Sequence, residues 1–100
     1  METVDTELGT LRPTLGAAMK VTKRFGSFMD ALRKVESLDL EAFVFIVAAG
    51  LNKRPVDVEE SVYDVGTMAL VQPVSDFVTL LANGGKPIKA AAQDGSAPGE

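Results

Sequence analysis

Cysteine and histidine are both missing from this 100-residue chain. Without thiols there is no disulfide, no thiolate nucleophile and no iron–sulfur ligation; without imidazole there is no general base poised near neutrality and no ordinary zinc or haem ligand set. Long apolar runs are missing as well. The longest, Ala42 to Ala49, is eight residues, against about 20 for a helix that spans a bilayer. The start, Met1-Glu2-Thr3-Val4-Asp5-Thr6-Glu7, is acidic and polar, unlike a secretory signal, which opens basic and turns apolar. Positive charge is scarce: ten Lys and Arg stand against fourteen Asp and Glu, a net charge of −4. Nucleic-acid binders draw their affinity from neutralising phosphates, so this balance disfavours nucleic acid as a partner. These absences predict a cytoplasmic protein that meets no membrane, holds no metal or cofactor and is not an enzyme.

What is present is enough for one small domain. Hydrophobic residues make up 46% and charged residues 24% of the chain, the composition of a globular fold. The charge is segregated: residues 1–10 carry −3, residues 11–36 carry +4 and residues 37–64 carry −4. Such blocks fit complementary parts packing in one fold, or a basic face meeting an acidic partner.

Periodicity predicts an all-α bundle of about five short helices. Pro13 suits a first helical turn, Leu15, Ala18, Met19, Thr22 and Phe25 follow at helical spacing, and Gly26 ends the run. Ser27 caps a second helix striped by Phe28, Leu32 and Val35; Asp39 caps a third, from Leu40 to Ala49, with Gly50 as its stop. Asp57 and Glu60 have capping-box spacing before a fourth helix striped by Val58, Val62 and Val65 and ended by Gly66. Pro73 opens a fifth, striped by Val74, Phe77, Val78 and Leu81, with Asn83-Gly84-Gly85 as the stop. The predicted organisation is a flexible N-terminus over residues 1–9, a helical domain over 10–85 and a disordered tail over 86–100, whose small and polar residues cannot offset chain entropy.

The third segment, Ala42-Phe43-Val44-Phe45-Ile46-Val47, is aromatic and β-branched enough for a buried strand, but its caps and length favour helix. A helix apolar on all sides is central. Phe43 and Phe45 lie about 200° apart on it, so one fills the core and the other meets a further helix or a partner. Met19, Met29 and Met68 read as core gap-fillers, with Met29, beside Phe28 on the short second helix, the best candidate for exposure. The predicted partner surface is therefore Phe28, Met29, Phe43 and Phe45.

Motifs for chemistry are weak. The pairs Glu59 with Glu60 and Glu60 with Asp64 serve a helix N-terminus rather than a substrate, and Gly84-Gly85-Lys86-Pro87 lacks the spaced glycines and the Ser/Thr of a phosphate loop. A second reading, a small helical DNA-binding regulator, takes the third and fourth helices as a helix-turn-helix. Its recognition helix, however, presents Asp57, Glu59, Glu60 and Asp64 and no cation after Arg54.

Leu11-Arg12-Pro13-Thr14-Leu15-Gly16-Ala17 resembles the opening L-R-P-T-F-G-A-L of a family of small phage tail assembly chaperones, found in siphophage-type tail gene clusters, in prophages and in gene transfer agents. The Ala49-Gly50-Leu51 segment is similar to the end of that family's apolar helix. The chain departs from the family in having Leu15 where Phe is commoner, and Lys20-Val21-Thr22-Lys23-Arg24 where acidic residues are frequent. Within the motif, Leu11 reads as a hydrophobic staple, Pro13 as the helix start and Gly16 as a point of close approach. The resemblance implies a non-enzymatic chaperone that binds the long helical tape measure protein, assists assembly of the tail tube protein and is absent from the mature particle; self-association is a further option. It also implies a programmed −1 frameshift near the end of the reading frame. Gly85-Lys86, with Gly84 supplying the preceding G, is the candidate position, because a slip on G-GGA-AAR would leave the helical body whole.

Overall fold

The computed structural model describes residues 2–87, and it starts with a β-hairpin where the sequence predicts a flexible arm. β1 (Val4–Thr6) and β2 (Gly9–Leu11) pair antiparallel, Val4 opposite Leu11, Asp5 opposite Thr10 and Thr6 opposite Gly9. The Thr6 hydroxyl closes the turn, donating to the Gly9 carbonyl at 2.8 Å and accepting from the Leu8 amide at 3.0 Å. Two strands of three residues have little stability alone in water; these are held from outside. Leu11 is fully buried, Val4 and Leu8 pack against the core, and the Glu2 amide donates to the Gly85 carbonyl at 3.1 Å.

Five helices follow, as periodicity predicts: α1 (Leu15–Phe25), α2 (Phe28–Glu36), α3 (Leu40–Leu51), α4 (Glu59–Val65) and α5 (Thr67–Ala82). The side chains of Thr14, Ser27 and Asp39 accept from the amides of Ala17, Asp30 and Ala42 and so cap α1, α2 and α3, each cap contributing about 1 kcal/mol. Among the described residues no single helix is long and apolar enough to cross a membrane.

Four helix boundaries differ from expectation. Thr14 rather than Pro13 introduces α1, leaving Pro13 one residue outside it and buried. α3 runs through Gly50 to Leu51 and is ended by Asn52 in the left-handed conformation, φ 59°. Gly50 is not a stop: a Cβ there would fall 3.0 Å from Leu11 Cβ and from Phe77 Cζ, so a bare Cα lets β2 and α5 reach the axis of α3. Asp57 makes no capping box. It ends a 3-10 turn (Pro55–Asp57) and its carboxylate accepts two hydrogen bonds from the Arg54 guanidinium at 3.1 Å, while α4 starts from Val58 without a side-chain cap. Finally, α5 starts at Thr67 and carries Pro73 inside it. Burial of Leu70, one turn ahead of Val74 on the same stripe, extends the helix across the proline despite the lost hydrogen bond. Gly66, at φ 97°, supplies the 111° bend between α4 and α5.

α3 lies at the centre, packed on β2, α1, α4 and α5, while α2 packs chiefly on α5. Phe43, Ile46 and Val47 of α3 and Leu70, Val74, Phe77 and Val78 of α5 supply most of the fully buried side-chain volume. Among the described residues no charged or polar side chain is buried. From residue 88 onward the predicted tail lies outside the described residues.

Candidate partner-binding site

α3 is buried on every side but one. Its uncovered strip carries the exposed Glu41, the half-buried Phe45 and the exposed Asn52, and it forms the floor of a groove. Lys20 and Arg24 of α1 make one wall; Lys53, Arg54, Pro55 and the first residue of α4, Glu59, make the other. The groove consists of two hollows of about 460 and 450 Å³ that share Phe45 and Pro55. The first is floored by Ala48 and Ala49 toward the C-terminal end of α3, the second by Leu40 and Val44 toward its N-terminal end.

Phe45 is held where it stands. Its ring meets Phe25 edge-to-face, centroids 5.9 Å apart and planes at 83°, and the Arg24 guanidinium carbon lies 5.3 Å from its centroid. Each contact is worth on the order of 1 kcal/mol, enough to fix the ring while leaving part of it open to solvent. A large apolar side chain already ordered before a partner arrives costs little further entropy on binding.

Of the predicted partner surface, Phe45 lies in this groove. Phe43 does not: it is fully buried, because its face of α3 is the one that Leu11 and α5 close over at Gly50. Phe28 is half-buried on α2 and packs against the core, and Met29 beside it is 59% exposed; neither lines the groove. The expectation that the methionines fill core gaps fails, since Met19 and Met68 are 63% and 73% exposed. On α1 the buried positions are Ala17 and Val21, so Leu15 and Met19, one turn apart on another face, point to solvent.

The Leu11–Ala17 motif takes a structural place. Leu11 is buried against Gly50, the Arg12 amide donates to the Gly50 carbonyl at 3.0 Å, Thr14 caps α1 and Ala17 is buried. Gly16 meets no close neighbour, its nearest being the Thr14 hydroxyl at 3.8 Å. The close approach assigned to it belongs to Gly50. The two segments that carry the family resemblance, Leu11–Ala17 and Ala49–Leu51, thus meet each other in space. Gly84, Gly85 and Lys86 follow the end of α5, the glycines at φ 69° and 81°.

Sequence reasoning missed the groove's small floor, Ala48 and Ala49, and its Lys53–Pro55 wall. Two consecutive alanines in an apolar helix signal close packing as readily as a groove, and only the path of the connection to α4 decides between them. Comparison with known proteins finds no matching family model, no similar characterised protein and no similar solved structure.

Proposed function

We propose that this chain is a non-enzymatic assembly chaperone that holds an apolar helical stretch of a longer protein in the groove along α3. The observation that carries the reading is Phe45, an aromatic ring fixed in the open floor of the groove by Phe25 and Arg24. The exposed Met19, Met29 and Met68 suit the same role, since methionine adapts to varied apolar partners. The resemblance in Leu11–Ala17 names the client: the tape measure protein of a phage or prophage tail, handled in the host cytoplasm before the tail tube protein is recruited. A longer product frameshifted at Gly85-Lys86 would keep α1 to α5 intact and replace only the residues C-terminal to them.

The test is co-expression of the full chain with the long helical protein encoded beside it. A soluble complex that is lost with Phe45→Ala, while that variant keeps its helical spectrum, supports the reading; a client equally soluble without the chain overturns it. The DNA-binding alternative gains no support from the geometry, because α4 has seven residues and presents Glu59, Glu60 and Asp64.

A further inference from the structure

The two hollows of the α3 groove differ in charge balance, one lined by cations alone and the other by two acids and one cation. Lys20, Lys53 and Arg54 flank the hollow over Ala48 and Ala49. Glu41 and Glu59 flank the hollow over Leu40 and Val44, which Arg24, over the Phe45 ring, also lines. Among the described residues Lys20, Lys53, Glu41 and Glu59 form no ion pair, whereas Arg54 is engaged by Asp57 at 3.1 Å. Five exposed charges along the apolar floor are thus without an ion-pair partner among the described residues: Lys20 and Lys53 at one end, and Glu41, Glu59 and Arg24, the last stacked on Phe45, at the other.

We infer that the groove's occupant is an amphipathic helix with segregated charge: an apolar stripe for Phe45, Ala48 and Ala49, acidic residues at the end beside Lys20 and Lys53, and basic residues at the end beside Glu41 and Glu59. The chemistry is dictated by complementarity. Charges around an apolar seat add little to affinity when solvated, but they select partners and register, because a like charge placed opposite is penalised. The length is set by the floor, since the 12 residues of α3 extend about 18 Å, which an occupant of three to four turns covers. The inference rests on the reading of this groove as the seat for a client, and it names which stretches of a long helical client the chain selects.

The probes are two synthetic 18-residue peptides of identical composition and identical leucine stripe. One carries its glutamates in the first two turns and its lysines in the last two; the other has the same charges interleaved. Binding of each to the full chain is measured by fluorescence anisotropy at low and at physiological salt. The segregated peptide is expected to bind at least tenfold more tightly at low salt, and Phe45→Ala to weaken both peptides. Segregated charge also stabilises a free helix through its dipole, so the decisive quantity is the ratio of the two affinities. In Lys20→Glu/Lys53→Glu that ratio is expected to fall at least tenfold. These positions are exposed, and an unchanged thermal midpoint confirms the fold. An unaltered ratio, or failure of both peptides to bind, overturns the inference. So does a dimer in solution that Phe45→Ala dissociates, which would make a second copy the occupant. The chaperone reading fails separately: a chain that discriminates between the peptides but binds no part of the tape measure protein keeps this inference and loses that one. Tape measure binding indifferent to Lys20→Glu/Lys53→Glu does the reverse.

Discussion

Phe43 and Phe45 stand two residues apart on α3 and live in different surroundings. Phe43 is enclosed with Ile46 and Val47, on the face where Gly50 admits Leu11 and Phe77. Phe45 rests on Phe25 and under Arg24 with part of its ring open. One helix therefore serves as the centre of the fold on one side and as the floor of a groove on the other. Residue type does not distinguish the two roles. What separates them is that β2 and α5 close over the first face, while the Lys53–Pro55 connection runs beside the second without covering it.

The largest expected effect breaks the inner face. Phe43→Ala should lower stability by about 3–5 kcal/mol through lost transfer energy and an unfilled cavity, read from urea unfolding followed by circular dichroism. A loss near 1 kcal/mol would mean that the two faces are alike. Next, Gly50→Ala sets a gain in helix propensity of about 1 kcal/mol against a clash with Leu11 and Phe77 that costs about 1–3 kcal/mol. The expected result is net destabilisation together with weaker protection of the β1–β2 amides in hydrogen exchange, because Gly50 is where the hairpin docks.

Phe45→Ala sharpens the contrast from the other side. It removes one edge-to-face contact and one cation–π contact, each on the order of 1 kcal/mol, so thermal unfolding should shift far less than for Phe43→Ala while client binding is lost. The smallest effect is expected at the groove's wall. Asp57→Ala breaks only an exposed ion pair with Arg54, worth about 0–1 kcal/mol. If Asp57 instead capped α4, as its spacing to Glu60 suggests, the loss in thermal stability would reach about 1–2 kcal/mol.

Much of the fold was legible because local signals agreed. Ser27 and Asp39 cap the helices they precede, Gly26 and Gly66 end theirs at positive φ, and the apolar stripes mark the buried faces of α2, α4 and α5, though not of α1, where Ala17 and Val21 are buried in place of Leu15 and Met19. The hairpin was not legible, since strands of three residues carry almost no pattern and Leu11 is secured by a glycine 39 positions away. Nor was the true start of α5, where burial of Leu70 outweighs the breaking tendency of Pro73. The candidate site was half legible: the separation of Phe43 from Phe45 is a consequence of helical geometry, but which of them faces outward is not.

The sequence by itself determined that this chain forms a small bundle of five helices around an unusually apolar third one, because caps, stops and a 3.6-residue period act through neighbours a few positions apart. Only the tertiary structure decided that Gly50 is a docking point and not a stop, that Met19 and Met68 are exposed, and that Lys20, Lys53, Glu41 and Glu59 border one groove. These outcomes depend on contacts between segments far apart in the chain, and local spacing carries no record of which faces such contacts cover.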